Sequence, residues 1–422
     1  MSIAPDAIER LSLSRREPAW MLEFRLRSLD VFLGSPPSEG EPDAAQIEEV
    51  IARALNGVAP DSAATSPAAR GAAIGAQYES EAVYRRLREE WAHEGVVFID
   101  TDEALARHED LIRPFWGTVV PPEGDRFAAL NGALWAGGSF VHVPKGVRVE
   151  VPLQTWFKID ARTGSQFERS LLFVDEGAEV HYLEGCTAPA QPADALHVPV
   201  VEIVVRAGGR CTYTSLQNWT KNVFNLVAKR ARVEEGGAIR WIDADLGSRW
   251  NRKHPAADLL GRGARAEVFS IALAGAGQRE DLGARIVHAA PATESRVLAR
   301  SLARAGGRAR FRARIEVRKE ARGARVASRC DALILDEPSA AETLPDLDVR
   351  APEATVEHEG AVSRIADDRL YYLESRGIPP EEAEQLIVNG FVAPVVRELP
   401  VEYAVEVGRL LAAELPGARR AS

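Results

Sequence analysis

From about Phe127 to about Val356 the chain alternates apolar and polar residues in short runs, each ended by a glycine-containing turn. Successive side chains of a strand point to opposite faces, so this alternation predicts strands with one buried face. The clearest units are Glu176-Gly177-Ala178-Glu179-Val180, Gly208-Gly209-Arg210-Cys211-Thr212-Tyr213 and Gly236-Gly237-Ala238-Ile239-Arg240-Trp241. Gly263-Ala264-Arg265-Ala266-Glu267-Val268, Gly306-Gly307-Arg308-Ala309-Arg310-Phe311 and Gly323-Ala324-Arg325-Val326 follow. From Gly177 through Gly208 and Gly236 to Gly263 the turns return at steps of 31, 28 and 27 residues, and the last two are less regular. A repeating unit of this length predicts a stacked sheet, most simply a parallel β-helix. A β-sandwich with regular strand spacing is the alternative.

On either side the period becomes helical. Trp20, Phe24 and Val31 recur at helical spacing after Glu17-Pro18, and further helices are expected from Asp43 to Leu55 and from Glu79 to His93. Residues 60–69, rich in alanine, serine and proline, read as a linker. Near the other end, Asp367–Arg376 stops at Gly377, a glycine suited to a helix C-terminus. Pro379-Pro380 opens a helix through Val388 with acidic residues in its first turn, and a last one spans about Val401 to Leu415. The expected organisation is a helical region over 1–126, a β-helix core over 127–356 and a helical region over 357–422, the helical ends capping exposed sheet edges.

Composition narrows the function classes. A formal net charge of −10 with no concentrated basic stripe argues against nucleic-acid binding. No apolar run is long enough to span a bilayer, and Met1-Ser2-Ile3-Ala4-Pro5-Asp6 does not read as a secretory leader. Three cysteines in 422 residues form no disulfide framework and suit a reducing compartment. The expected location is the cytoplasm, with no membrane and no nucleic acid as partner.

Those cysteines carry the candidate chemistry. Cys330 lies in a strand-like run, and Glu357-His358-Glu359 follows about one repeat later. The 28-residue step from Cys330 to His358 is one rung, so a thiolate, an imidazole and a carboxylate could meet as metal ligands. Equally, Cys330 could be a small buried hydrophobe and the triplet a solvated strand edge. Cys186 sits where a strand runs into a turn, a setting suited to thiol exchange or to packing. Cys211 begins a strand about one rung further on. Trp219, in Gln217-Asn218-Trp219, reads as core.

Longer runs add to the spacing: Glu17-Pro18-Ala19-Trp20-Met21-Leu22-Glu23-Phe24-Arg25, Leu134-Trp135-Ala136-Gly137-Gly138-Ser139-Phe140-Val141-His142-Val143-Pro144-Lys145-Gly146-Val147 and Tyr182-Leu183-Glu184-Gly185-Cys186. Thr214-Ser215-Leu216-Gln217-Asn218-Trp219, Asn225-Leu226-Val227-Ala228-Lys229-Arg230, Cys330-Asp331-Ala332-Leu333, Tyr372-Leu373-Glu374-Ser375-Arg376-Gly377 and Ile387-Val388-Asn389-Gly390-Phe391 follow in order. Through these runs the chain resembles, over nearly its whole length, the SufB/SufD family of iron–sulfur cluster assembly proteins. The resemblance implies a mainly β protein with a right-handed parallel β-helix core between helical ends. Cys330 would be the principal cluster thiolate, with His358 and Glu359 or Glu357 beside it. Cys186 would accept sulfur as a persulfide, and Gln217, Trp219 and Lys229 would line a sulfur route inside the β-helix. Lys158 and Asp160 stand on that route where the family usually has arginine and asparagine, and Gly360 stands where alanine is usual. SufD-like members generally lack the Glu-His-Glu triplet.

The expected function is therefore a non-enzymatic scaffold that receives sulfur, builds a labile, transient iron–sulfur cluster and passes it on. The runner-up is a SufD-like structural partner without its own cluster. One thiolate with harder ligands should hold a cluster less firmly than four cysteines, as a donor requires. No phosphate-cradling glycine loop occurs, so ATP use falls to a partner, implied to be a SufC-type ATPase on the C-terminal helices. A SufD-like paralogue or a second copy of the chain, a cysteine desulfurase or other sulfur donor, and reduced flavin complete the implied set. A carbohydrate-cleaving β-helix would need paired carboxylates in a groove, and no such pair stands out.

Overall fold

The computed structural model describes residues 5–36, 44–57, 73–74, 91–158, 165–187 and 194–415. Its core is a β-solenoid of about seven turns, so the parallel alternative is the one adopted. One sheet stacks Leu153–Lys158, Glu179–Thr187, Arg210–Asn218, Ala238–Leu246, Arg265–Ala274, Glu294–Ala303, Arg325–Ile334 and Thr355–Arg364 in parallel, with Ala73–Ile74 antiparallel at its start. The other sheet opens with Val97–Asp100 antiparallel to Ser139–Val143 and ends with Arg308–Val317 and Ala340–Val349. Arg210 lies opposite Glu179, Ala238 opposite Arg210, and Arg265 opposite Ala238, reproducing the 31-, 28- and 27-residue steps of the glycine turns.

The irregular turns have a structural reason. Gly177, Gly208, Gly236 and Gly263 all have φ between 62° and 69°, the left-handed conformation that glycine adopts without strain. The next turn, into Glu294–Ala303, uses Ala292 at φ 56°, so that rung carries no glycine signal. Gly306-Gly307 instead leads into Arg308–Val317 of the other sheet and belongs to a different column.

Each sheet has one face inside the solenoid and one outside, and both are apolar. Inward residues of the two sheets, among them Val180, Tyr182, Trp241, Ile203, Ala231 and Ile315, form one buried cluster. Outside the second sheet, Phe224, Leu226 and Trp250 pack against Leu29 and Phe32 of helix Ala19–Gly34 and Phe127 and Leu130 of helix Arg126–Leu134. Outside the first sheet, Leu216, Ile242, Phe269 and Leu302 are covered by Val388, Val392, Tyr403 and Leu411. The covering residues come from helices Pro380–Val396 and Val401–Glu414.

The C-terminal helices therefore cover a sheet face and leave the edge of the last rung open. Outward apolar columns need burial more than a charged strand edge does. In Ala340–Val349 and Thr355–Arg364, Leu347, Val349 and Val362 are 38%, 43% and 46% exposed, although their counterparts one rung earlier are buried. Two expected boundaries move as well. The last strand runs to Arg364, so position 356 falls inside it, and Val97–Asp100 is a strand within the first 126 residues. The second expected helix is Ala44–Gly57. Of the third, residues 91–93 are helical and the remainder lies outside the described residues, as does the 60–69 linker.

The turn geometry is testable. A Cβ at Gly236 would meet nothing within 4 Å, so Gly236→Ala isolates the backbone strain and should destabilise by about 1–2 kcal/mol. Ala292→Gly should relieve the same strain and raise the unfolding midpoint. Denaturant melts of the two variants should move in opposite directions.

Candidate functional site

Parallel register stacks equivalent inward positions into columns, and two adjacent columns of the first sheet are polar. Thr155, Glu184, Ser215, Asp243 and Ser270 stand opposite one another on successive strands, and Ala299, Cys330 and Gly360 continue the same column. Two residues further along each strand run Phe157, Cys186, Gln217, Asp245 and Ala272. From across the solenoid the second sheet supplies His197, Asn225, Asn251 and Glu280 in one register column, with Lys229 and Lys253 nearby.

These side chains form a connected file. The Lys229 ammonium donates to Ser215 Oγ and Asp243 Oδ1, both at 3.0 Å, and lies 4.6 Å from the Tyr213 ring centre. Lys253 reaches Asp243 Oδ1 at 3.0 Å and Asp245 Oδ1 at 2.6 Å. Burial raises the Asp243 carboxyl, but Lys229 and Lys253 outweigh it and hold the group below the ordinary range. Burial keeps Asp245 above that range, and it lifts Glu280 far above it with help from the Asp245 charge. Tyr213 donates its hydroxyl to Glu184, whose carboxyl is raised by burial.

Around Cys186 the donors and acceptors can be assigned in sequence. An indole N–H only donates, so the Gln217 atom 3.1 Å from Trp219 Nε1 is the carbonyl oxygen. That oxygen also accepts from Asn225 Nδ2, which donates to Asn251 Oδ1 at 2.9 Å as well. Asn225 therefore turns Oδ1 toward His197 Nδ1, 2.7 Å away, and Nδ1 carries the proton. His197 Nε2 lies 2.5 Å from Glu168 Oε1. Burial lowers the His197 pKa, but the charge and hydrogen bond of Glu168 overcome this and raise it, favouring an imidazolium. Cys186 donates to Glu184 Oε1 at 3.7 Å, and burial, with Glu184 and Glu168 adding, keeps it a thiol. Glu168, Cys186 and His197 are all buried, and their ligating atoms lie within 4.8 Å of one another.

At the open end, Cys330 faces Gly360 and Ser328 faces His358. Offsets of two keep the same face, so Cys330 and His358 share the inward side of the last two rungs. Glu357 and Glu359 fall on the other side, and Glu359 is drawn outward by Arg329 at 3.4 Å. The triplet thus splits across two faces, an outcome of strand alternation that spacing alone did not resolve. His358 Nδ1 is buried without a hydrogen-bond partner, and a Cβ at Gly360 would come within 3.5 Å of His358 Nε2. Burial pushes the Cys330 thiol up to about 11, partly relieved by Ser328, 3.6 Å away.

Two family models match the chain. The model described as SUF system FeS cluster assembly, SufBD core domain, matches residues 157–391, and the SufBD protein N-terminal region matches 78–155. An iron–sulfur cluster assembly protein SufB of Bacillus subtilis is 43% identical over 434 residues, covering 98% of this chain and 93% of that protein. The chain belongs to the SufB/SufD family. An iron–sulfur cluster assembly SufBD family protein of Staphylococcus aureus is 41% identical over 437 residues, with 98% of this chain and 93% of its own length covered.

Within this SufB/SufD chain, Gln217, Trp219 and Lys229 are brought together around the interior file with Cys186. Lys158 ends the strand beside Cys186, with its side chain outside the described residues, as is Asp160. Cys211 is not in the group. Register sets it opposite Val180, deep in the apolar core, where burial pushes its thiol to about 12. Glu168, Glu184, His197, Asn225, Asp243, Asp245 and Lys253 were not singled out from sequence. Trp241-Ile242-Asp243-Ala244-Asp245-Leu246 did hold a signal, because both aspartates occupy the inward phase of an otherwise apolar strand.

A thiol whose folded pKa exceeds its unfolded value adds stability below the unfolded pKa, which is lost as pH rises through the folded one. For Cys330 that window runs from its unperturbed 9.0 to about 11. Wild type should therefore lose stability relative to Cys330→Ala across this range in matched thermal melts. A difference independent of pH would mean that the thiol is not held protonated by burial.

Proposed function

We propose that this chain is a scaffold on which sulfur and iron are assembled into a labile iron–sulfur cluster for transfer to other proteins. The observation that carries the reading is the Cys330–His358 pair, which shares the inward face of the open rungs, with Cys330 in the same register column as Glu184, Ser215 and Asp243. Five inter-strand steps separate the strands of Cys186 and Cys330, about 24 Å at ~4.8 Å per step. Cys186 takes the outer sulfur of a donor persulfide, the donor's thiolate leaving, and a two-electron reductant such as reduced flavin releases that sulfur as sulfide into the file through Gln217, Lys229 and Asp243. Lysine, asparagine and glutamine groups along it offer hydrogen-bond donors to a sulfur anion that the apolar core would not.

At the open end, Cys330 and His358 supply the thiolate and imidazole that receive the cluster, which is cargo here. Glu359 lies on the other face of the edge strand, so it joins by leaving Arg329 and passing round the open edge; the ion pair given up is solvent-exposed and contributes no more than about 1 kcal/mol. Few ligands on an exposed rung hold a cluster weakly, which suits a donor. The unpaired edges of Ala340–Val349 and Thr355–Arg364, with Leu347, Val349 and Val362 exposed, fit a SufD-like chain or a second copy by edge and face pairing. The name borne by the Bacillus subtilis relative supports the assembly role.

A SufC-type ATPase fits the outer surface of helices Asp367–Ser375 and Pro380–Val396. Tyr371, Tyr372 and Leu386 are 74%, 57% and 52% exposed there. Truncating these helices would uncover Leu216 and Ile242, so substitution is the cleaner test. Tyr371→Asp with Tyr372→Asp should abolish pull-down of the ATPase while the thermal melt is retained; undiminished binding would move the docking surface elsewhere.

Anaerobic reconstitution with iron and sulfide, followed by absorption and Mössbauer spectra, tests the central reading. Wild type should take up a cluster, and Cys330→Ala should lower occupancy about tenfold or more while remaining folded. A wild-type chain that pairs with a SufB/SufD relative yet holds no cluster would instead be the SufD-like structural partner. Cys186→Ala should still accept cluster from free sulfide but carry no persulfide after donor treatment, as read by intact mass. Equal persulfide on both proteins would remove Cys186 from sulfur uptake.

A further inference from the structure

We propose that Glu168, Cys186 and His197 form a buried mixed-donor site for a zinc-class divalent cation, at the Cys186 end of the polar file. The proposal concerns Cys186 as a metal ligand and goes beyond its role as sulfur acceptor. Sulfur, nitrogen and carboxylate oxygen in a set of three is the donor combination of open zinc sites, in which a fourth position is left for water or another ligand. The three donor atoms already lie within 4.8 Å of one another. Tetrahedral zinc with ordinary bond lengths places its ligand atoms about 3.5 Å apart. Parting His197 Nε2 from Glu168 Oε1, now 2.5 Å away, and drawing the sulfur in therefore takes shifts of about an ångström.

Three further features favour a cation here. Glu168 Oε2 is buried and has no hydrogen-bond partner among the described residues, so the carboxylate has a second acceptor turned into the solenoid. His197 is already oriented for ligation. Asn225 accepts from Nδ1–H, and Asn225 is itself held by Gln217 and Asn251, which leaves Nε2 as the metal-facing nitrogen. Charge also balances: a 2+ ion held by the Cys186 thiolate, the Glu168 carboxylate and a neutral His197 imidazole forms a neutral group, so its burial adds no net charge.

This gives Gln217 and Trp219 a positioning role distinct from lining a path. The Trp219 indole fixes the Gln217 amide, which fixes Asn225, which fixes the His197 tautomer, and the Trp219 ring lies 4.5 Å from the His197 ring.

The test is titration of the full chain with Co²⁺ under anaerobic, reducing conditions, in a Cys330→Ala background so that this thiol contributes nothing. One equivalent of Co²⁺ should give a near-ultraviolet thiolate-to-cobalt band and visible bands of tetrahedral intensity, and Zn²⁺ should displace both. Cys186→Ala should lose the thiolate band, and Glu168→Gln should weaken binding about tenfold or more. X-ray absorption of the zinc-loaded Cys330→Ala chain reads the site without altering it, and should show one sulfur near 2.3 Å with nitrogen and oxygen near about 2.0 Å. A zinc shell without sulfur, or a thiolate band that survives Cys186→Ala, would overturn the proposal. Persulfide loading of Cys186 is measured separately, so either reading can fail without the other.

Discussion

Unbroken parallel register is the constraint on which the rest of this molecule depends. Each strand of the first sheet sits about 4.8 Å from the next with its side chains in phase, so an inward position on one rung lies directly over the inward position of its neighbours. Residues separated by 27 to 31 positions in sequence become contacts, and a chemical choice made once per rung becomes a column. Glu184, Ser215, Asp243 and Ser270 form such a column, and Cys330 stands further along it. A slip of one residue anywhere would turn every later inward side chain outward.

Stability alone does not explain the polar file. Burying ions is costly unless they are paired, and well-packed apolar residues often stabilise as much or more. Lys229 and Lys253 against Asp243 and Asp245 balance two charges of each sign, yet Asp243 Oδ2, Asp245 Oδ2, Glu280 Oε1 and Gln217 Nε2 have no partner among the described residues. Buried polar atoms in folded proteins are almost all hydrogen-bonded, so this concentration inside one solenoid marks a place shaped for something other than packing. Apolar layers on either side, from Tyr182 and Trp241 to Ile242 and Phe269, hold the file in place.

The two ends of the solenoid are treated differently, and that asymmetry follows from which faces are apolar. Helices close over the outer faces of both sheets because Phe224, Leu226, Leu216 and Ile242 would otherwise meet water. No helix covers the last rung among the described residues, so Cys330 and His358 stand beside unpaired strand edges. All three thiols are buried, Cys330 one strand in from that edge and Cys186 and Cys211 several rungs deeper.

The strand period, the positions of four glycine turns and the helical character of both flanks could be read from the residues alone. Those properties are local: a left-handed turn needs glycine, and a half-buried strand needs alternation. The rung at Ala292 escaped because a strained alanine replaces the glycine there. Which of the chemically suggestive residues meet depended on the folded chain. It put His358 on the Cys330 face and the two glutamates on the other, moved Cys211 away from Cys186, and gathered Glu168, His197 and Asn225 around that thiol. Glu168 lies between strands and His197 comes from the opposite sheet, so neither proximity has a period to read. Inward or outward phase depends on register counted through every intervening turn, and contact across the solenoid depends on how two sheets close on each other.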